Sequence, residues 1–295
     1  MGKITLEQAI QILNLILKAD VTGEAVQKTL IERFDLIKTM MKYPEVVRAM
    51  DTGLFEAFIL SNVPPLRALL EEAQAEGGEG IVSEYGYPAG WCLKSMDEQL
   101  MILKDIFPDL AFEAEIPASL PEGAEGWLVV PKPSKIAKTY NEALETLLSL
   151  LGGVRSAFSN WRQGKLGPEY LQITEKTRGV LDRLERSTTG DYLVLAIQCG
   201  LRYQASSVFQ ARKTFDEKEY GLGPFEIAGL LLTHPERLAD YEHLGIDCPG
   251  GEYAPNADRN FSHSLYFIWD QGGLYFDCSY ADGIGPGFGS ASGFL

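Results

Sequence analysis

Two short runs near the carboxy terminus, residues 265–269 and 274–278, flank Asp270-Gln271-Gly272-Gly273. The glycines permit the positive backbone angles that tight turns require, and the flanking runs are rich in aromatic and aliphatic residues, so this stretch is predicted to be a β-hairpin. Strand alternation then points Leu274, Phe276 and Cys278 to one face and Tyr275, Asp277 and Ser279 to the other. No other part of the chain specifies its local structure as sharply.

The hairpin belongs to an ordered set of elements. Tyr192-Leu193-Val194-Leu195-Ala196-Ile197 is a β-branched and aromatic run of strand length. Helices are predicted over 207–215 and 224–232, the second with Pro224 in its first turn, where the missing amide would be unpaired anyway. A long irregular stretch covers 234–262. After the hairpin come a Gly-rich loop and a last strand within 290–295.

Upstream the texture is helical. Thr5 precedes an apolar rhythm at Leu6, Ile10, Leu13, Ile16 and Leu17, with Gln8 in capping-box spacing, which predicts a helix over 5–18. Further helical patterns cover 22–34, 44–50, 64–75 and 95–106, the last with Ser95 and Glu98 in the same spacing. Gly77-Gly78-Glu79-Gly80 and residues 117–126 read as breaks. Trp127-Leu128-Val129-Val130 is strand-like, 135–151 is helical, and a polar helix follows the turn at 164–168 and ends near Arg186. These patterns predict an α+β chain with its main boundary between about 155 and 190. The expected parts are a mainly helical amino-terminal region, 1–160, a helical connector, 161–187, and an α+β domain, 188–295.

Charge narrows the choice of partner. The 295-residue chain carries 41 acidic and 26 basic side chains, a formal charge of −15, and no run is basic enough for a broad nucleic-acid surface. Within 219–295 the only basic residues are Arg237 and Arg259, so the charge favours neutral or basic protein ligands, reached faster at low salt. The apolar stretches are broken well before the ~20 positions a membrane helix needs. Residues 1–7 lack the pattern of a signal peptide. The expectation is a soluble protein without membrane insertion, cytoplasmic by default, with export by another route left open. Cys92, Cys199, Cys248 and Cys278 are far apart, form no CxxC pair and read as reduced thiols.

The order strand, two helices, long loop, hairpin, loop and terminal strand over residues 188–295 resembles the C-type-lectin fold, in particular the variable proteins of diversity-generating retroelements. The segments that carry the resemblance are Gly200-Leu201-Arg202, Leu232-Thr233-His234-Pro235-Glu236-Arg237-Leu238, Ile246-Asp247-Cys248, Glu252-Tyr253 and the ending Gly289-Ser290-Ala291-Ser292-Gly293-Phe294-Leu295. The resemblance implies a C-type-lectin-like domain with a mutable segment at its carboxy terminus. The calcium-and-sugar triplets of carbohydrate-binding lectins are absent, so it implies neither calcium-dependent sugar binding nor a cofactor. Mutagenic copying in such retroelements yields codons ending in a pyrimidine, a set that lacks Met, Trp, Lys, Glu and Gln. Residues 274–295 contain none of these five. A Gly-rich loop selected for backbone freedom lacks them equally, and both readings stand at this point.

On the diversified reading the loop 276–288 and the adjoining Tyr275 form a recognition surface. Its ligand-binding residues are Tyr275, Asp277, Ser279, Tyr280, Asp282, Ile284 and Phe288. Their aromatic rings offer large contact area at low entropic cost, and Ser279 and the two aspartates adaptable hydrogen bonds. The other reading packs Tyr275 and Tyr280 on the sheet. His234, His243 and His263 are the only histidines, and His234, His243, Asp247 and Cys248 match no zinc spacing, so no metal site is expected. Trp91, Trp127, Trp161 and Trp269 read as core or boundary residues. No phosphate-binding glycine motif occurs. The sequence therefore predicts a non-enzymatic, protein-binding display protein. The alternative is an enzyme that uses Cys248 with His263, or carboxylates within 247–258.

Overall fold

The computed structural model describes residues 85–111, 119–155 and 157–295. The helices expected over 5–18, 22–34, 44–50 and 64–75 lie outside the described residues. Helix α1, Met96–Ile106, begins where its cap predicts: Ser95 Oγ accepts the Glu98 amide at 3.3 Å, and Glu98 Oε2 accepts the Ser95 amide at 2.9 Å. Strand β1 follows at Gly126–Pro131, then a single helical turn, α2, at Pro133–Ile136 and the long helix α3 at Tyr140–Val154. The expected helix over 135–151 thus starts later, because Thr139 and Glu142 form its capping box. Strands β2, Phe158–Asn160, and β3, Leu171–Ile173, precede helix α4 at Glu175–Ser187, so the turn at 164–168 leads into a strand before the polar helix.

Strand β4, Tyr192–Gln198, is followed by helix α5, Val208–Thr214, strand β5, Glu219–Gly221, and helix α6, Pro224–Thr233. The stretch read as irregular, 234–262, holds two short strands, β6 at Gly245–Asp247 and β7 at Gly251–Tyr253. The hairpin consists of β8, His263–Asp270, and β9, Gly273–Tyr280. Its turn is two residues long: Gln271 and Gly272 both take positive φ, 46° and 79°, the conformation that fits the twist of paired strands. The ending divides into β10, Phe288–Ser290, and β11, Ser292–Phe294, which join different sheets.

The first sheet runs β1-β4-β11-β5, with antiparallel neighbours throughout. The second runs β10-β6-β8-β7-β3, with β9 along β8 and β2 parallel to β9. Leu128, Val130, Leu193, Leu195 and Ile197 turn one face of the first sheet to the main core, together with Leu144, Leu147 and Leu151 of α3. Val129 and Tyr192 turn the other face to Leu103 of α1. Cover on both faces explains why β1 and β4 read as nearly unbroken apolar runs. All ten residues of α6 are buried. Gly229 lets this helix lie close on β1, where a Cβ would stand 2.7 Å from Val130 Cγ1.

The change of texture across 155–190 does not separate two cores. Residues before it supply β1, which pairs with β4 from Gly126↔Ile197 to Pro131↔Tyr192, and residues within it supply both β2 and β3 of the second sheet. Leu144 of α3 and Phe267 of β8 belong to one buried cluster. The described chain is α+β, with helices interspersed among the strands of both sheets. Among the described residues no helix is long and apolar enough to cross a membrane.

Candidate functional site

The hairpin separates its side chains as alternation predicts. Leu274 and Phe276 are fully buried and Cys278 half-buried on the inner face, whereas Tyr275 and Asp277 are half-buried and Ser279 exposed on the outer one. Cross-strand register sets Tyr266 opposite Asp277 and Ile268 opposite Tyr275, and places Asp247 of β6 opposite Tyr266. The outer face is therefore a row of mixed aromatic and acidic groups from β6 through β8 to β9.

Its two ends are closed by residues from other parts of the chain. Trp161, just after β2, stacks on Tyr275 with ring centroids 6.4 Å apart and stays 62% exposed, so it belongs to this surface rather than to the core or a boundary. The neighbouring Arg162 forms a salt bridge with Asp277. At the other end Phe288 meets Tyr266 edge to face at 5.0 Å, and its ring fills the space left by Gly245 and Gly285, where a Cβ would stand 2.8 and 2.7 Å from it. Tyr275, Asp277 and Phe288 are thus engaged within the fold.

The outermost positions are Ser279, Tyr280, Asp282 and Ile284. Tyr280 packs tilted against the His263 ring, centroids 4.1 Å apart, and is 36% exposed; Ile284 is 53% exposed and Asp282 is exposed. The loop that bears them is tied at its base. Ala281 is buried, its amide donates to the Ser262 carbonyl at 2.9 Å, and its carbonyl accepts the Phe209 amide of α5 at 2.7 Å. Phe209 is itself half-exposed beside this base, a member of the surface that helix periodicity alone could not single out.

Burial pushes the Asp247 carboxyl up to about 7, against the pull of the Arg212 guanidinium. Arg212 is held by the carbonyls of Pro249 and Gly251, at 2.8 and 2.7 Å, and lies 3.8 Å from Glu252. Cys248 points the other way: it is fully buried in the main core, and burial raises its thiol well above the usual range. Its thiol is therefore no surface nucleophile. His263 is occupied by the Tyr280 ring and by Ser262 Oγ, 3.1 Å from its Nδ1.

His234 is buried, with Nε2 accepting the Lys94 amide at 2.8 Å and Nδ1 2.8 Å from Thr233 Oγ1; burial holds it down at about 4, as a neutral ring. His243 accepts the amides of Ala239 and Asp240. Among the described residues no three His, Cys, Asp or Glu side chains are grouped to hold a metal ion. The chemistry on offer at the loop is that of contact: rings, short polar groups and carboxylates on a fixed base. Comparison with models of protein families, with curated proteins and with solved structures finds no match to the chain.

Proposed function

We propose that the protein is a non-enzymatic binding protein whose recognition surface is the end of β9 and the loop that joins it to β10. We further propose that the scaffold is C-type-lectin-like, of the kind that carries the mutable segment in the variable proteins of diversity-generating retroelements. The observation that carries the reading is the contrast along 274–284. Leu274 and Phe276 have no exposure, whereas Ser279 and Tyr280 at the end of β9, and Asp282 and Ile284 on the loop that follows, meet solvent around the buried anchor Ala281. Such a loop changes its outer side chains without disturbing the core, which is what a binding device with interchangeable contacts needs.

The element order supports the scaffold reading. Strand β4 opens the region, two helices follow, and the terminal strand β11 returns to pair antiparallel with β4, with the hairpin in the other sheet. The packing divides the seven residues into two roles. Ser279, Tyr280, Asp282 and Ile284 form the contact set, and Tyr275, Asp277 and Phe288 support it through Trp161, Arg162 and Tyr266. The ligand is a protein of neutral or basic surface, since Asp258 and Asp282 act on His263 beside Tyr280, Asp277 is already paired with Arg162, and Arg259 is the only cation within 238–295.

Sequencing sister copies of the gene tests this directly. Substitutions concentrated at 279–284, with the buried residues of β8 and β9 unchanged, are expected. A loop as invariant as the core would overturn the reading.

A further inference from the structure

Strand β2 lies at the margin of the second sheet, with β9 as its neighbour. Two bonds fix which of its backbone groups face β9: the Leu274 amide donates to the Ala157 carbonyl at 2.8 Å, and the Trp161 amide to the Phe276 carbonyl at 3.0 Å. Alternate residues of a strand turn their backbone groups to opposite edges, so residues 157, 159 and 161 address β9. Phe158 and Asn160 turn N–H and C=O to the other edge, where no described residue pairs with them. An open row of this kind is a template for another strand.

The open edge borders a cleft of about 490 Å³, lined by Glu145, Leu148, Ser149, Phe158, Asn160 and Gln163. Helix α3 forms one wall, with Glu145 and Ser149 exposed above buried Leu148. Phe158 and Leu148 make its floor apolar, and Glu145, Ser149, Asn160 and Gln163 make its rim polar. Among the described residues Glu145 is the one charged side chain in the lining.

We propose that the edge of β2 left unpaired among the described residues binds an extended peptide segment of another protein as an added strand, with a basic side chain of that segment directed at Glu145. Peptide residues facing β2 exchange hydrogen bonds with Phe158 and Asn160, and alternate side chains enter the cleft. A second copy of this chain is a poor occupant, because a net charge of −15 repels its like. The site lies apart from the contact set: it adjoins β9 at 274–276, whereas Ser279, Tyr280, Asp282 and Ile284 lie at the far end of β9 and beyond it.

The test uses the full chain and a panel of capped pentapeptides that alternate Val or Thr with Lys, Gln or Glu. Calorimetry and hydrogen exchange are the readouts. The Lys peptides are expected to bind most tightly and to slow exchange at Phe158 and Asn160. N-methylation of the two peptide amides that face β2 is expected to weaken binding at least about tenfold, as is Ser149→Trp, which fills the cleft from an exposed helix position. Glu145→Lys reverses the order of the Lys and Glu peptides. An unchanged thermal midpoint in Ser149→Trp separates loss of the site from loss of the fold. The proposal is overturned if no Lys peptide binds at about 1 mM, or if bound peptide leaves exchange at Phe158 and Asn160 unchanged. Self-association of the chain that Ser149→Trp abolishes would assign the edge to a second copy and overturn it equally.

Discussion

The side-chain amide of Gln99 does for Val129 what a neighbouring strand would do: its Oε1 accepts the Val129 amide at 2.9 Å. Its Nε2 donates to the Trp127 carbonyl at 2.7 Å and to the Lys94 carbonyl at 2.8 Å. Gln99 is fully buried, so helix α1 closes the outer edge of β1 with a single side chain in a dry environment.

Gln99→Leu keeps much of the volume and removes every partner. It is expected to cost about 3 kcal/mol, because the Val129 amide and the Trp127 carbonyl remain buried without replacements. Urea unfolding measures the loss; a variant within ~0.5 kcal/mol of the parent would show that water reaches this edge.

Arg237 is the largest fully buried side chain among the described residues, with its guanidinium 4.2 Å from the Tyr87 ring centre and bonded to the Leu244 and Cys199 carbonyls at 2.9 and 2.8 Å. Glu125, which accepts the Tyr87 hydroxyl at 2.9 Å and the Cys199 amide at 3.1 Å, lies in the same cluster. Arg237→Met should lose about 3–5 kcal/mol, since it strands two carbonyls and a carboxylate together. Arg237→Lys should rescue little, because an ammonium lacks the planar fork that reaches both carbonyls.

Local chemistry made some of this fold legible and distance hid the rest. The hairpin, α1 and α6 could be read because Gln271-Gly272, the Ser95 and Glu98 pair and Pro224 act within a few residues of themselves. Strands β2, β3, β6 and β7 are three residues each, too short for a pattern, and exist through remote partners such as Phe158↔Leu274 and Leu171↔Tyr253. The site divides the same way. Alternation in β9 set Tyr275 apart from Phe276, but nothing near residue 275 announces Trp161 or Arg162, which reach it only because β2 lies beside β9.

Glu226 is buried in the first turn of α6, accepting the Tyr140 hydroxyl at 3.0 Å and the Gly223 amide at 2.8 Å, and burial pushes its carboxyl from 4.5 to about 7. Below pH 4.5 both the folded and unfolded states hold this proton. Between 4.5 and 7 the unfolded chain releases it first, so stability falls as pH rises and levels off above 7, by about 3 kcal/mol in all. His234, held down at about 4, works in the opposite sense between 4 and 6.5. The difference between the parent and Glu226→Gln isolates the carboxyl. That difference should shift in favour of the variant from pH 5 to pH 8 in urea titrations, and a pH-independent difference would mean that Glu226 is charged throughout.

The four thiols should separate by burial. Cys92 is exposed, Cys199 and Cys248 are fully buried with raised thiols, and burial pushes half-buried Cys278 up to about 11. An aromatic disulfide reagent at pH 8 is expected to label Cys92 rapidly, Cys278 slowly and the other two only on unfolding. Rapid labelling of Cys248 in the folded protein would reopen the thiol chemistry that its burial disfavours.

The division of the recognition surface has its own energetic signature. Ser279→Ala, Asp282→Ala and Ile284→Ser remove side chains that meet solvent, and each should leave stability within ~0.5 kcal/mol of the parent. Tyr280→Ala loses the ring contact with His263 and should cost about 1 kcal/mol. Phe288→Ala vacates the space between Tyr266, Gly245 and Gly285, and about 2–3 kcal/mol is expected for a half-buried ring. Asp277→Ala breaks the pair with Arg162 at partial exposure and should cost under ~1 kcal/mol. Urea midpoints for the set give the profile. A flat profile with Phe288 as tolerant as Ile284 would mean that the loop has no anchor, and a steep one at Asp282 and Ile284 would mean that these residues hold the fold and are not interchangeable contacts.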